Sequence, residues 1–470
     1  MIKIVVLLLC FSLALGQVNT TFEANETVQG TCTVDSDCKT QFVCTDGECV
    51  HKSLFPLSGL DILVTVIVTI SNGLGTSGGV GEGALLIPYL ILIGKYAVTQ
   101  ASSIAYVIVF GGVLGNLLNI VWMPHEKSHR PLINYDLNLL IIPALLIGVP
   151  FGVVLHTVLP PLAIYIGIII LLTYFISKIV LKIFRKPQPE RPQLDKSEEN
   201  ENLFANQPQS SSDMYLEPET KAKFEEINRA VDAAEAEEKE DHLFPRKKYQ
   251  ELLLILLAFG TIILLKGSKD FESVVGIGFC SPGYWSLYAV NVVIMSLLFY
   301  RNTRLVLKWQ KEKEVKGYQF AADELQYDNR RIITILILSV FAGLVGGTLS
   351  VGGALVIAPT LLDWGMPPKS VAVTTGFFIV FTMLDSTLEV LMYGQVTSSE
   401  FFWFASINFV FSFITSRVVI TYAKKYQKEN LILAILGAVG TVSQIVMIYL
   451  LVNLSITSFP YLVDATSFCS

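Results

Sequence analysis

Charge is what this chain lacks most. Only 16% of its 470 residues are Asp, Glu, Lys or Arg, against 52% hydrophobic. A soluble protein of this length would break its apolar runs far more often. Strands of about ten residues with alternating polarity are missing as well, which excludes a transmembrane β-barrel; the apolar runs must therefore close their backbone hydrogen bonds as helices. Histidine is rare: His51, His125, His129, His156 and His242 are scattered, with no i,i+4 pair that could hold a metal inside a membrane. No nucleotide-binding P-loop exists to drive an ATP-powered pump, and no nucleophile, base and acid come together as a catalytic set. The sequence thus predicts a protein that is not an enzyme and needs neither cofactor nor metal.

What remains is a series of apolar runs. Twelve are of bilayer-crossing length or close to it: 58–76, 83–95, 100–122, 137–156, 161–183, 251–266, 284–300, 332–349, 353–364, 370–393, 402–421 and 430–452. Before them, residues 1–16 read as a secretory signal peptide, with Lys3 ahead of an apolar core that ends in small residues. Residues 17–56 form an extracytosolic Cys-rich module behind glycosylation sequons at Asn19 and Asn25. Cys32, Cys38, Cys44 and Cys49 are expected to form two disulfides, with three connectivities open. Asn453 is a third sequon, at the start of a tail spanning 453–470.

The formal charge of −6 is unevenly spread. Residues 187–245 hold sixteen acidic and six basic side chains, a net of −10, so the rest of the chain carries +4. That excludes a nucleic-acid partner. The stretch 187–246 reads as an acidic cytosolic linker, solvated or docking a cytosolic partner. Residues 301–331 form a basic cytosolic segment, of which the amphipathic stretch 301–317 is expected to lie on the inner membrane surface. Counting spans from an outside start puts nearly all Lys and Arg of the loops between spans inside; the outside loops hold only Lys95, Lys266 and Lys269. Cys280 and Cys469 also fall outside. Both termini are thus expected to be extracytosolic, in a multi-pass protein of the plasma membrane or an endomembrane, with room for homo-oligomers.

A self-similarity at an offset of 271 residues organises the chain. Gly75, Val80, Gly81, Pro88, Leu90, Gly94 and Ala101 align without a gap onto Gly346, Val351, Gly352, Pro359, Leu361, Gly365 and Ala372. Three glycines and a proline in register are hard to obtain by chance between apolar helices. Repeat 1 covers 58–183, repeat 2 covers 332–452, and two linking helices lie in 251–300. An odd number of spans separates the copies, so they are inverted in the membrane, the common construction of secondary carriers. Each copy contains a Gly-rich break, 73–83 and 343–353, where backbone can leave the helix. A helix that restarts after such a break aims its N-terminal amides at an anion; close packing between helices is the plainer use of the same glycines.

The paired patterns Gly78-Gly-Val-Gly-Glu-Gly-Ala-Leu-Leu-Ile-Pro88 and Val351-Gly-Gly-Ala-Leu-Val-Ile-Ala-Pro359 resemble the sulfite exporter (TauE/SafE) family of permeases, related to 4-toluene sulfonate uptake permeases. The resemblance implies about twelve transmembrane helices in two inverted repeats with broken helices, and transport of sulfite, sulfonates or related oxyanions. Glu82 departs from it by replacing a usual glycine. The candidate substrate-binding residues are Ser77, Gly79, Gly81, Gly83, Ser102, Ser103, Ser350, Gly352, Gly353, Thr374 and Thr375. Asp385 and Glu389, one turn apart inside a span, are the candidate proton-coupling pair, with a structural hydrogen bond for Asp385 and a snorkelling Glu389 as the alternative. The expected function is a secondary transporter of a small sulfur-containing oxyanion by alternating access, coupled to protons. An anion channel, or a transporter-derived receptor or scaffold, is the alternative.

Overall fold

The structure, a computed structural model, describes residues 34–38, 41–45, 48–79, 83–123, 131–184, 246–268, 273–315, 325–426, 429–457 and 469. The signal peptide, Asn19, Asn25, Cys32, Gly81, Glu82 and residues 187–245 of the acidic linker lie outside the described residues. A small β-hairpin, β1 (Phe42–Thr45) and β2 (Glu48–His51), precedes the helices. They run α1 (Gly59–Ser77), α2 (Gly83–Leu92), α3 (Val98–Ile120), α4 (Tyr135–Val158), α5 (Pro161–Phe184), α6 (Arg246–Lys266) and α7 (Pro282–Val315). Then come α8 (Asn329–Leu349), α9 (Ala354–Asp363), α10 (Pro368–Met392), α11 (Ser398–Tyr426) and α12 (Glu429–Thr457).

Among the described residues, nine helices are long and apolar enough to cross a membrane. Their outward faces carry large apolar side chains; Ile170, Leu181, Leu297 and Ile337 are each more than 60% exposed. Water would penalise that surface and lipid does not. The chain is an all-α, multi-pass membrane protein.

Contacts define two faces. At the Cys-module face, Lys52 pairs with Asp61 at the start of α1 (2.6 Å), and His51 Nε2 lies 2.9 Å from the Gly94 carbonyl just beyond α2. Phe55 packs edge-on against Trp403 in α11. At the opposite face, Lys178 near the end of α5 pairs with Asp363 at the end of α9 (3.0 Å), and Lys248 pairs with Asp136 (3.0 Å).

Two of the twelve expected spans differ from expectation. Residues 83–95 and 353–364 form the ten-residue helices α2 and α9. Ten residues rise about 15 Å, half of a hydrocarbon core. Each follows a longer helix and returns to the face that helix came from: α1 starts and α2 ends at the module face, while α8 starts and α9 ends at the opposite one. They are re-entrant hairpins entering from opposite sides. The basic segment also differs, because α7 continues unbroken from Pro282 to Val315, so residues 301–315 prolong a crossing helix instead of forming a separate surface helix.

The offset of 271 takes α3 onto 369–391, within a residue of α10, and α5 onto 432–455, inside α12. The halves interlock. Hairpin α1–α2 packs on α11 of the second half, and hairpin α8–α9 packs on α4 of the first. Helices α3 and α10 touch in the middle and are buried along nearly their whole length, which is why they are apolar on every side. Between α4 and α8, Gly148 and Gly152 face the carbonyls of Val340 and Leu344, while Gly343 and Gly347 face those of Leu145 and Val149. Without side chains, the two backbones come into direct contact, as small residues at four-residue spacing allow.

Candidate functional site

The hairpin tips are where the repeats meet. Helix α8 ends at Ser350 in the left-handed region (φ 60°), followed by Gly352 (φ 68°) and Gly353 (φ 77°), which caps α9. Three positive φ values in four residues turn the chain back within the protein interior, and two of them need glycine. Gly79, at the position equivalent to Ser350, is also left-handed (φ 72°). The equivalence extends to partners. Gly79 lies against the Ala372 backbone in the second turn of α10, where Thr375 Oγ1 donates to the Gly79 carbonyl (2.6 Å). Ser350 Oγ donates to the Ser102 carbonyl in the second turn of α3 (3.0 Å). Each tip is thus held by the first turns of the other repeat's central helix. Gly83, where α2 restarts, backs directly onto the Ser350 carbonyl, so a Cβ there would collide with backbone.

Of the sequence-predicted site residues, Gly79, Gly83, Ser102, Ser350, Gly352, Gly353 and Thr375 are brought together around these tips. Ser102 Oγ is fully buried without a hydrogen-bond partner. Thr382 Oγ1 donates to the Gly352 carbonyl (3.2 Å). Three others are used elsewhere. Ser77 donates to Leu74 in its own helix (2.7 Å); Ser103 donates to Gln395 Oε1 at the module face (2.7 Å); Thr374 Oγ1 accepts from the Asn134 amide at the opposite face (3.2 Å). Asn116 and Asn119 join helices, donating to the Thr76 and Phe413 carbonyls at 2.8 Å each.

Two residues at the second tip went unmarked in the sequence. Tyr106 donates its hydroxyl to the Gly347 carbonyl. His156, fully buried, sets Nδ1 3.0 Å from the Thr348 carbonyl and Nε2 3.4 Å from that of Thr99. Its position in the last turn of α4 was visible, but its neighbours lie 57 and 192 residues away in sequence.

Asp385 and Glu389 are both buried, so the snorkelling alternative for Glu389 is corrected. Glu389 Oε1 pairs with Lys266 Nζ at 2.5 Å, inside a narrow cavity that Asp385, Tyr288 and Asn291 also line. Lys266, expected in an outside loop, is instead the last residue of α6 and only 4% exposed. It donates to Tyr288 Oη (3.0 Å) and sits over that ring, 4.4 Å from the centroid.

The disulfide Cys38–Cys49 staples the module, Cys44 is itself disulfide-bonded, and Cys280–Cys469 joins the start of α7 to the chain's end. Asn453 is exposed within α12.

Three proteins of Arabidopsis thaliana align along most of the chain. Sulfite exporter TauE/SafE family protein 5 is 26% identical over 406 residues, covering 83% of each sequence. Family protein 1 is 26% identical over 418 residues (85% of this chain, 86% of its own), and family protein 2 is 25% identical over 406 (82% of each). No family model matches the chain, and no solved structure matches it significantly. The alignments extend well beyond the Gly-rich motifs, through the central helices and across both repeats, and make this chain a relative of the sulfite exporter TauE/SafE family proteins.

Proposed function

We propose that this protein is a secondary transporter of a small sulfur-containing oxyanion, such as sulfite or an organosulfonate, working by alternating access with proton coupling. The observation that carries the reading is the pair of re-entrant hairpins, inverted in the membrane, whose tips abut between α3 and α10. A site between two inverted elements opens to either face when one half rocks against the other. The tips concentrate small hydroxyls (Ser102, Ser350, Thr375) and the restarted helices α2 and α9, which suit an oxyanion. The names of the relatives point to sulfur anions.

The orientation belongs to the same reading. Both mapped disulfides lie at the module face, and the ion-paired Lys178, Lys248 and Arg301 lie at the other. With the module outside, the disulfides occupy an oxidising compartment and the basic side chains follow the positive-inside bias. Both termini are then extracytosolic and the acidic linker is cytosolic. An epitope tag near Gln209 should be reachable only after permeabilisation.

The test is flux into proteoliposomes with radiolabelled sulfite, sulfate and taurine. Saturable uptake with counterflow is expected, and counterflow separates a carrier from a pore. Gly352→Val, which forces a β-branched residue to φ 68° against Met383 and Ile379, should abolish it. Normal flux through folded Gly352→Val protein, or no flux of any sulfur anion through the native protein, would sink this reading.

A further inference from the structure

The hairpin tips leave the buried charges of α10 unexplained. At the offset of 271, Asp385 and Glu389 correspond to Leu114 and Leu118 of α3. The repeat architecture therefore packs the equivalent helix with leucine and does not itself need carboxylates there. Their partner comes from neither repeat: Lys266 ends α6, one of the linking helices.

We propose that Asp385, Glu389 and Lys266 form a proton-exchange site, with Asp385 as the proton carrier and Lys266 as a cation that alternates between the two carboxylates. This rests on the transporter reading. Three features support it. Lys266 and Glu389 neutralise each other at 2.5 Å, which leaves Asp385 as the surplus acid; its Oδ2 is buried without a hydrogen-bond partner, as is Glu389 Oε2. A bare carboxylate there would be severely penalised, so the closed cluster is neutral only with Asp385 as the carboxylic acid. Second, an ammonium has three donors; Glu389 and Tyr288 take two, so one remains to follow a charge that appears one turn along α10. Third, the cluster has a route out. Tyr284, Tyr288 and Tyr393 lie around Lys266 and bond one another through their hydroxyls at 3.0–3.3 Å, beneath the module-face ends of α6 and α10.

The groups facing Asp385 and Glu389 are Lys266 from α6, Tyr284 and Tyr288 from α7, Tyr393 beyond α10 and Tyr106 from α3, with His156 of α4 edge-on to Tyr106. The step is a proton exchange alone. When the cluster opens to water, the Asp385 acid gives its proton to water and Lys266 moves to the new carboxylate. When Asp385 takes a proton back, Lys266 returns to Glu389.

Infrared difference spectra of the purified full-length protein, titrated from alkaline to acidic buffer without substrate, test the site independently of transport. The other carboxyl groups titrate alike in both proteins, so the native spectrum minus that of Asp385→Asn is expected to show one carboxylic-acid C=O band, from Asp385. In sulfite-loaded proteoliposomes with a trapped pH dye, Asp385→Asn should move at least tenfold fewer protons per sulfite. The proposal is overturned if the native and Asp385→Asn spectra cancel with no carboxylic-acid band left, if Asp385→Asn retains the proton-to-sulfite ratio, or if sodium replaces protons as the required ion. Because the spectra need no substrate, failure of transport leaves them decisive; if Asp385→Asn does not fold, Asp385→Glu, which keeps the acid, should shift the band, and an unshifted band overturns the proposal.

Discussion

The two re-entrant hairpins share one plan and are secured by different chemistry. The first is clamped from outside the membrane: Lys52 and Gln41 hold Asp61 at its start (2.6 and 2.9 Å), and His51 stacks on Tyr96 beside its end. Inside, it relies on polar groups, with Asn72 Nδ2 donating to Asn408 Oδ1 (3.0 Å) and the Ile108 carbonyl (2.9 Å). Among the described residues the second shows no such clamp, and the ion pair at its membrane face, Lys178–Asp363, is substantially exposed. It depends on backbone contact through Gly343 and Gly347, and Gly343 is the offset counterpart of Asn72. A bond between amides fixes one register and can be remade, whereas two backbones in contact tolerate no insertion. The first hairpin is thus built to be held from its ends and the second along its length.

Gly152→Leu attacks the second hairpin at its weakest tolerance and should have the largest effect. A Cβ there meets the Leu344 carbonyl and the Gly347 backbone, which cannot turn aside. A loss of about 3 kcal/mol or more is expected, seen as collapse of the monodisperse peak in size-exclusion chromatography. Lys52→Met should come next. Asp61 is 2% exposed and would keep Gln41 and Ser58 but lose its cation. About 2 kcal/mol of local stability should go, with faster proteolysis of residues 34–56 and little change in helix content. Asn72→Leu removes both interhelical bonds, to the Ile108 carbonyl and to Asn408 Oδ1, and strands the latter; about 1 kcal/mol is expected, measured as a fall in Tm. An Asn72→Leu loss equal to that of Gly152→Leu would erase the distinction between the hairpins.

Much of this organisation was legible in the sequence because it repeats. Aligned glycines at 81/352 and 94/365 and prolines at 88/359 located the breaks. The breaks looked like junctions between full spans because hydropathy alone cannot tell a ten-residue half-helix from a crossing one. The helix α7 hid its continuity because its last four turns turn basic where they leave the apolar layer. Lys266 was missed for a different reason. It follows an unbroken apolar run and precedes Gly267, which looks like a loop start, and its partner Glu389 lies 123 residues on. Ion pairs between distant helices leave no local pattern. Among hydroxyls, Thr374 and Thr375 are neighbours in sequence yet point to Asn134 and Gly79, since adjacent residues on a helix sit about 100° apart.

The smallest effect should come from Ser350→Gly, which gives the second tip the residue found at the equivalent position of the first. Two terms oppose each other. Ser350 holds φ 60° and ψ 35°, where an L side chain costs up to about 1 kcal/mol that glycine does not incur. Its hydroxyl returns about 1 kcal/mol by donating to the Ser102 carbonyl. That carbonyl, inside α3, keeps its own helical partner when the hydroxyl is removed. The sum is near zero, so Tm should move by no more than about 2 °C in either direction. Ser350→Ala is the control that separates the terms, because it loses the bond and keeps the strain, and it should be less stable than Ser350→Gly by about 1 kcal/mol. If glycine were the worse of the two, the left-handed turn would not be what selects the residue here, and the parallel between Gly79 and Ser350 would be one of position alone.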